Sequence, residues 1–280
     1  MPRKTYKFKD KLVLLTGAGS GIGRATALQL AALGGRILVV DLNLASATQV
    51  ASEINALNSN AQAFELDVAN REAYQDFAIK ILDQFGPPDI LINNAGVGLS
   101  GSFLDMDLKD WDWIVSINLW GVIHGCHFFS KAMAQRGSGH IVNMASAMAY
   151  FYRDTEIAYV TTKASVLALS KALRADLARY NVGVSAICPG IINTPIISRT
   201  RFKGKMSEEN TVSTIKQLFA KYGHPPEKVA KAIIFAISKN VSVMPVGGES
   251  YFAYILDKVL PPSLYAKLIS LRPAFVGNKL

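Results

Sequence analysis

Short apolar runs alternate with helical patterns along most of this chain. Between the runs, apolar residues recur at the three- and four-residue spacing of amphipathic helices. The alternation predicts an α/β fold, a doubly wound parallel sheet with helices on both faces. We predict strands for seven runs, at residues 12–16, 36–41, 61–66, 89–92, 139–144, 182–187 and 241–246. A site in such a sheet lies beyond the carboxyl ends of the strands.

The chain length of 280 residues suits one domain, and we take residues 1–280 as a single unit. Residues 190–225 lose the strand-helix rhythm, as expected for a loop that covers a substrate site. We call this segment the predicted lid. Its apolar residues recur at helical spacing, at Val212, Ile215, Phe219 and Tyr222. They predict a helix whose apolar face meets the substrate or closes over it.

Residues 249–280 form a predicted helical extension after the last strand. Its apolar stretch 251–260 is followed by Pro261 and Pro262, and a second apolar helix is predicted over residues 263–271. This extension could roof a substrate pocket, pack on a partner or rest on a membrane surface.

A glycine-rich turn follows the first predicted strand directly. Gly17, Gly21 and Gly23 form a Gly-x-x-x-Gly-x-Gly pattern, and a helical pattern begins at once over residues 24–33. Glycine permits a tight turn and the close approach of a ligand. A helix N-terminus adds unpaired N–H groups and the positive end of a dipole. Strand, turn and helix together therefore predict a pyrophosphate site.

Asp41 ends the second predicted strand, 18 residues after Gly23. A carboxylate at this place accepts hydrogen bonds from an adenosine ribose and would repel a 2′-phosphate. Because neither Ser20 nor the residues directly after Asp41 supply a cation, we expect NAD as cofactor rather than NADP. Arg24 lies near enough to the turn to weaken this preference. The alternative interpretation of Asp41 is a helix N-terminal acid without a ligand.

Tyr159 and Lys163 are four residues apart, which is about one helical turn. A unit charge about 4 Å away is worth roughly 4 kcal/mol at an effective dielectric near 20. That charge would lower the pKa of the phenol from about 10 toward about 7, so that Tyr159 could exchange protons at neutral pH. Taken alone, the pair is more typical of a solvated helix face.

The order of these motifs resembles the short-chain dehydrogenase/reductase family over residues 11–246. The further matching pieces are Asp67-Val68, Asn93-Asn94-Ala95-Gly96, Asn118, Ser146, and Pro189-Gly190 with Thr194. The resemblance implies a Rossmann-type fold, a nicotinamide cofactor and carbonyl or alcohol chemistry. The Tyr-x-x-x-Lys spacing favours this branch over the enoyl reductases, which have a longer gap.

The resemblance assigns catalysis to a tetrad that comprises Asn118, Ser146, Tyr159 and Lys163. Ser146 would donate a hydrogen bond to the carbonyl oxygen as hydride arrives, and Tyr159 would transfer the proton. Lys163 would bind the nicotinamide ribose, and Asn118 would hold a water that links Lys163 to solvent. From residue type alone, Ser146 could instead cap a turn, and Asn118 could bond to the backbone of a packed helix.

The resemblance also implies which residues contact the cofactor. The glycine-rich turn would hold the pyrophosphate, and Asp41 would bind the adenosine ribose. Ile192 and Thr194, which follow the sixth predicted strand, would hold the carboxamide. The full set is Gly17, Ser20, Gly21, Ile22, Gly23, Asp41, Asp67, Val68, Asn94, Ala95, Gly96, Tyr159, Lys163, Pro189, Gly190, Ile192 and Thr194.

Charge and cysteine content indicate which partners and which cellular compartment suit the protein. The net charge is +9; residues 1–11 hold five basic residues and one acid, and residues 257–280 hold four basic residues and one acid. Such basic ends fit an anionic membrane surface better than a nucleic-acid groove, which needs a basic stripe with aromatic residues. With only Cys126 and Cys188 and no leader pattern, we expect a reduced cytoplasmic protein, with peripheral membrane contact through the C-terminal extension as an option.

Residues 113–130 contain no Asp, Glu, Lys or Arg, which is unusual for a helix. Polar residues and glycines interrupt this segment, and the family resemblance makes it a buried interface helix rather than a membrane span. His124 and His127 have one-turn spacing, but no carboxylate or cysteine cluster completes a metal site. We therefore expect no metal.

Apolar and aromatic residues near the tetrad predict a hydrophobic substrate. They are Leu99, Ala147, Met148, Tyr150, Phe151 and Tyr152. The leading hypothesis is an oxidoreductase that interconverts a hydrophobic alcohol and its ketone, such as a steroid, retinoid or fatty carbonyl. The alternatives are a dinucleotide sensor with no reaction and a peripheral membrane protein whose enzyme core is secondary. The family implies a homodimer through the helices of Asn118 and Tyr159, whereas the unusual C-terminal extension puts a tetramer in doubt.

Overall fold

A computed structural model describes residues 7–261 and Leu264. Its main sheet contains the strands β1 (Leu12–Thr16), β2 (Arg36–Asp41), β3 (Asn60–Glu65), β4 (Ile90–Asn93), β6 (Gly139–Met144), β7 (Val182–Pro189) and β9 (Val243–Val246). A second, two-stranded sheet pairs β5 (Leu99–Ser100) with β8 (Arg201–Phe202). The main sheet has the spatial order β3-β2-β1-β4-β6-β7-β9, and each pair is parallel.

Helices cover both faces of the main sheet. The helices of the described residues are α1 (Gly21–Ala32), α2 (Leu44–Ala56), α3 (Arg71–Phe85), α4 (Leu108–Val115), α5 (Gly121–Arg136), α6 (Ile157–Leu177), α7 (Glu209–Tyr222), α8 (Pro226–Lys239) and α9 (Gly248–Val259). Among them, α4 and α7 lie outside the two layers that cover the sheet. Within the described part of the chain, no helix combines the length and the apolar character needed to cross a membrane.

The hydrophobic core has two layers because successive side chains of a strand point to opposite faces. In β1, Leu14 joins the layer that includes α3, α5 and α6. Val13 and Leu15 join the layer that includes α1, α2 and α8. All three side chains are fully buried, as expected for a strand in the middle of a parallel sheet.

One long helical segment joins α4 to α5 through a π-helical turn at Ser116–Trp120. Asn118 lies inside this turn and is fully buried. A π-helical turn inserts an extra residue into a helix and is frequent at functional sites. Here it turns the Asn118 side chain toward the loop that follows β4.

The predicted fold class is confirmed, and all seven predicted strands occur in the main sheet with ends shifted by at most two residues. The helical spacing in the predicted lid corresponds to α7. The second sheet was not predicted, because its strands have two residues each. The apolar stretch 251–260 is largely α9, whereas the second helix predicted over residues 263–271 lies outside the described residues, apart from Leu264.

Candidate active site

The carboxyl ends of the parallel strands meet along one edge of the sheet. In the strand register, Thr16 of β1 pairs with Val40 of β2, next to Asp41 at the end of β2. On the other side of β1, Asn93 at the end of β4 pairs with Asn143 of β6. At β1 the chain connections switch direction, since β2 lies on one side and β4 on the other. Such a switch point leaves a crevice at the strand ends, where ligands of α/β proteins bind.

The glycine-rich turn begins at this crevice and leads into α1. Gly17 and Gly21 have φ angles of +61° and +53°, a region that favours glycine. A Cβ atom on Gly17 would lie 2.8 Å from Cα of Ala95, and one on Gly23 would collide with the carbonyl oxygen of Gly17. Side chains would therefore fill a cradle that ends at the N-terminus of α1. The space and the exposed N–H groups fit a pyrophosphate.

The rest of the turn completes this cradle. Ser20 is the N-cap residue of α1, but its side chain makes no hydrogen bond to the first N–H groups of that helix. Ile22 packs against the core layer that includes α1 and α8.

Thr16 and Asn94 tie the turn to the loop after β4. Nδ2 of Asn94 donates to the carbonyl oxygens of Thr16 and Gly17, at 2.9 and 3.0 Å. The hydroxyl of Thr16 accepts hydrogen bonds from the backbone N–H groups of Asn94 and Ala95, at 3.1 and 3.2 Å. The role of Thr16 was missed because sequence spacing does not show which side chain joins two neighbouring strands.

Asp41 is 8% exposed, and its carboxylate faces the turn. Oδ2 accepts from the N–H of Gly19 at 2.8 Å, and Oδ1 accepts from the N–H of Asn43 at 3.0 Å. Asn43 itself is the N-cap of α2, since its Oδ1 accepts from the N–H of Ser46 at 2.9 Å. Asp41 is therefore not the capping residue of α2, although its carboxylate lies at the N-terminal end of that helix and bonds to the N–H of Asn43.

Arg24 of α1 forms an ion pair with Glu53 of α2. Its guanidinium donates two hydrogen bonds to Oε2 of Glu53, at 2.7 and 3.1 Å. This partner was not foreseen, because Glu53 lies 29 residues further along the chain.

Asp67 and Val68 lie at the edge of the same crevice, after β3. Val68 is buried against Gly121, where an added Cβ would be only 2.8 Å from the valine side chain. His124 donates from Nδ1 to the carbonyl oxygen of Val68 over 3.0 Å. This hydrogen bond from His124 fixes the backbone of the segment at Val68. The Asp67 carboxylate accepts a hydrogen bond from the N–H of Ala69 at 2.9 Å.

Lys163 places an ammonium group in the protein interior. The side chain is 5% exposed and donates from Nζ to the carbonyl oxygen of Met144, at the end of β6, over 2.9 Å. Burial lowers the pKa of Lys163 to about 8. A Cβ on Gly96 would lie 3.5 Å from this Nζ and 3.2 Å from Oδ1 of Asn118, so a side chain at position 96 would crowd both.

The pKa of Tyr159 shifts upward, which is opposite to the expected direction. Burial is the largest cause, because removal from water disfavours the charged phenolate. A hydrogen bond from Ser146 acts against this shift, and the nearby charge of Glu156 adds to it. Nζ of Lys163 lies 5.7 Å from the centre of the Tyr159 ring and bonds to Met144 instead. The expectation assumed a cation close to the phenol oxygen and left out desolvation.

Ser146 lies between the end of β6 and Tyr159. Its Oγ accepts from the N–H of Met148 at 3.2 Å, so Ser146 does cap the short turn Ala147–Ala149. The same side chain also lies near the Tyr159 phenol, where it acts to lower the pKa of that group. The capping and the site interpretations are therefore compatible.

The side chain of Asn118 is bonded to the backbone of Val97. Oδ1 accepts from the N–H of Val97 at 2.8 Å, and Nδ2 donates to its carbonyl oxygen at 2.9 Å. The amide thus fixes the loop after β4 beside Lys163, and its backbone partner lies in that loop rather than in a helix.

The segment after β7 closes the other side of the crevice. Pro189 ends β7, and Gly190 donates its N–H to the carbonyl oxygen of Val246 at 2.8 Å. Ile192 is buried, and the Thr194 side chain lies 3.2 Å from the position that a Cβ on Gly21 would take. The segment therefore reaches the glycine-rich turn.

An open cavity of about 440 Å³ lies between this segment and α7. Its lining combines Asn193, Thr194, Pro195, Ile197, Ser198, Lys216 and Phe219. Of the four apolar lid residues, Phe219 is the one that contributes to this lining.

The base of the predicted lid is fastened by side chains as well as by β8. Lys203 forms an ion pair of 2.8 Å with Asp110, which is 5% exposed on its side chain. The guanidinium of Arg201 lies 3.7 Å from the centre of the Trp113 ring, a cation–π contact. Lid residues 201–203 are therefore attached to α4.

Two of the residues expected to line the substrate pocket are core residues. Leu99 and Tyr150 are each 1% exposed. The Tyr150 hydroxyl donates to Sγ of Cys188 at 2.9 Å. Ala147, Met148 and Phe151 are partly buried, and Tyr152 is exposed. Burial of Leu99 follows from its place in β5, a strand that the sequence pattern does not predict.

Comparison with known proteins connects this geometry to one family. The sequence matches the short chain dehydrogenase family over residues 11–203. It is 40% identical over 262 residues to "Probable oxidoreductase EphD" of Mycobacterium tuberculosis, a match that covers 92% of this chain and 44% of that protein. The chain thus spans less than half the length of this relative.

Other relatives match over nearly their whole length. The chain is 30% identical over 236 residues to the 3-oxoacyl-(acyl-carrier-protein) reductase FabG of Thermotoga maritima, covering 84% of this chain and 94% of that protein. A short chain dehydrogenase/reductase from Burkholderia phymatum, solved in complex with NAD, superposes with a TM-score of 0.82 at 26% identity. That match covers 90% of this chain and 93% of the other.

The burial of Lys163 predicts that a neutral side chain at this position stabilises the protein without ligand. The folded-state pKa of about 8 lies below the ordinary value, so the folded state binds the proton more weakly than the unfolded state. We expect Lys163→Met to raise the free energy of unfolding at pH 6 by about 1–3 kcal/mol. The advantage should shrink as the pH rises through 8, because the wild-type lysine then becomes neutral in the folded protein.

Urea unfolding of both proteins from pH 6 to pH 10 measures this difference. Lys171→Met, on the same helix, is the control for replacing an exposed lysine. A Lys163→Met protein that is less stable at pH 6, or a difference that does not change with pH, would contradict the assignment of a strained ammonium.

Proposed function

Because the chain belongs to the short-chain dehydrogenase family, we propose that it is an oxidoreductase that transfers a hydride between a nicotinamide cofactor and the CH–OH or C=O group of a hydrophobic alcohol or ketone. The observation that carries the proposal is the position of Ser146, Tyr159 and Lys163. All three lie beside the end of β6, on the strand edge where the glycine-rich turn begins. A cofactor that spans this edge would reach them.

Each side chain of this group would carry out a different part of the reaction. The cofactor would supply or accept the hydride. Ser146 would donate a hydrogen bond to the substrate oxygen and stabilise the charge that develops there. Tyr159 would give a proton to that oxygen in reduction and remove it in oxidation. Lys163, fixed by the Met144 carbonyl, would bind the ribose hydroxyls and add positive charge near the phenol.

Asn118 is a positioning residue in this scheme. Its side chain holds the Val97 backbone, and with it the loop that contains Gly96 and approaches Lys163. The proposed water between Lys163 and solvent would then contact the backbone of this region. We propose that the cofactor binds the residues named from the family resemblance, from Gly17 of the glycine-rich turn to Thr194 after β7.

We propose NAD as the preferred cofactor. Asp41 presents a largely buried carboxylate that is already fixed by the N–H groups of Gly19 and Asn43. A 2′-phosphate would bring a second negative charge to it without a cation to compensate. Arg24, which could have compensated, is engaged by Glu53. The NAD complex of the Burkholderia phymatum relative agrees with this choice.

For the substrate we propose a fatty or similarly hydrophobic carbonyl. The Thermotoga maritima relative is named as a reductase of 3-oxoacyl chains. In this chain, Phe219 of α7 lines the open cavity beside Thr194. Phe151 follows Ser146 closely in sequence and is partly buried against the core. A long apolar group could lie along such a surface.

The oligomeric state and location follow as part of the same proposal. We propose a cytoplasmic homodimer formed through the helices that carry Asn118 and Tyr159. Peripheral membrane contact is a second option, because the outer face of α9 exposes Phe252, Ile255 and Val259, which are 61%, 54% and 67% exposed. A dinucleotide sensor is disfavoured, since a sensor has no need of the Tyr159 and Lys163 pair.

Tyr159→Phe removes the hydroxyl and keeps the ring, so it tests the proton transfer. We expect turnover of a 3-oxoacyl substrate or a hydrophobic alcohol to fall by about 100- to 10,000-fold, with NADH binding unchanged. Absorbance of reduced nicotinamide measures turnover, and calorimetry measures binding. Tyr180→Phe, at an exposed tyrosine remote from the site, is the control. Full activity of the Tyr159→Phe protein would rule out the assigned proton route.

Asp41→Ala tests the cofactor preference. Loss of hydrogen bonds to a charged acceptor should weaken NAD by about 10- to 100-fold and remove the repulsion of NADP. The ratio of kcat/KM for the two cofactors should therefore shift toward NADP. Arg24→Ala should leave this ratio unchanged, because Arg24 is bound to Glu53. A wild-type enzyme that prefers NADP would show that the repulsion argument is wrong.

A further inference from the structure

Glu249, in the first turn of α9, contacts the segment that follows β7. Its Oε1 accepts a hydrogen bond from the backbone N–H of Ile191 at 2.9 Å. Its Oε2 lies 3.4 Å from Nε2 of His224, the residue two positions before α8. One carboxylate thus connects three parts of the chain that are far apart in sequence.

The surrounding backbone is shaped around this carboxylate. A Cβ on Gly190 would collide with Oε1 of Glu249, and one on Gly247 would lie 2.6 Å from the same oxygen. Gly247 has a φ angle of +99°, so it can start α9 in a direction that other residues would resist. Both glycines are needed for the carboxylate to reach Ile191.

The contact with Ile191 is part of a small backbone network. His224 donates its N–H to the carbonyl oxygen of Ile191 at 2.8 Å, and Asn193 donates to the carbonyl oxygen of His224 at 2.9 Å. Residues 191–193 are therefore held on one side by the chain before α8 and on the other by Glu249. Thr194 follows directly and lies against the glycine-rich turn.

Helix α9 is itself firmly seated, so Glu249 is a fixed anchor. Ser250 donates from Oγ to the carbonyl oxygen of Cys188 at 2.6 Å and is fully buried. Ala253 is also buried, and the Tyr254 ring packs edge-on against Tyr150 with centroids 5.3 Å apart. The helix thus packs against the segments that follow both β6 and β7.

An acidic residue in a first helical turn is often explained by the helix dipole alone. That explanation needs only a negative charge near the N-terminus of α9. It does not account for a carboxylate that accepts from Ile191, outside the helix, or for the two glycines that make room for it. The length of the Glu249 side chain, which lets its carboxylate contact Ile191, therefore matters in addition to its charge.

We propose that Glu249 is a positioning residue that holds residues 190–194 in the shape that binds the nicotinamide end of the cofactor. The inference rests on the proposed function, in which Ile192 and Thr194 contact the carboxamide. It gives the C-terminal extension a role in cofactor binding through α9. The carboxylate acts through the Ile191 backbone and touches neither substrate nor cofactor.

Two substitutions separate reach from charge in the full-length protein. Glu249→Asp keeps the charge but shortens the side chain by one methylene, so it loses the bond to Ile191. Glu249→Gln removes the charge but keeps an oxygen that accepts from Ile191. Calorimetry measures the affinity of each protein for NADH and for ADP-ribose, which lacks the nicotinamide ring. Glu227→Asp, at an exposed carboxylate in the first turn of α8, is the control.

We expect Glu249→Asp to weaken NADH binding by about 10-fold and ADP-ribose binding by less than about 2-fold. Glu249→Gln should bind NADH within about 3-fold of wild type. Equal weakening of both ligands, or a defect in Gln with a normal Asp protein, would overturn the proposal in favour of a general or electrostatic role. A wild-type protein that binds neither ligand would overturn the proposed function, and the inference with it.

Discussion

The buried ammonium of Lys163 is the constraint to which the rest of the site is fitted. It is almost fully removed from water and is held by the carbonyl oxygen of Met144, with no carboxylate bonded to it among the described residues. A charge in such a place is costly, and its lowered pKa expresses that cost. Gly96 lacks a side chain where Lys163 approaches, and the Asn118 amide fixes the same loop. A buried charge whose pKa is shifted in this way is typical of functional sites.

The fold brings these residues together because all strands of the main sheet run parallel. Their carboxyl ends meet at one edge, so residues from distant parts of the chain become neighbours there. This much could be predicted from the sequence, since buried parallel strands are continuous apolar runs and the helices between them are periodic. The strands β5 and β8 could not be predicted, because two residues show no period. Their pairing depends on where the lid packs.

The candidate site shows the same division between local pattern and tertiary contact. Motifs located the glycine-rich turn, Asp41 and the Tyr159 and Lys163 pair. Partners such as Thr16 for Asn94, Glu53 for Arg24 and Glu249 for Ile191 were not predicted, since each depends on packing between elements. The direction of the Tyr159 pKa was wrong for a related reason. Spacing gives the distance to a neighbouring charge, but burial is a property of the whole fold.

The proposed chemistry therefore requires positive charge beyond that of Lys163 to make the Tyr159 phenol acidic, and oxidised nicotinamide would bring it. Ultraviolet difference titration of wild type against Tyr159→Phe, with and without NAD, measures this phenol directly. Our account predicts that the phenol titrates above its ordinary pKa of about 10 in the protein alone and at a lower pH once NAD is bound. Identical titrations with and without NAD, or a phenol already acidic in the protein alone, would contradict it.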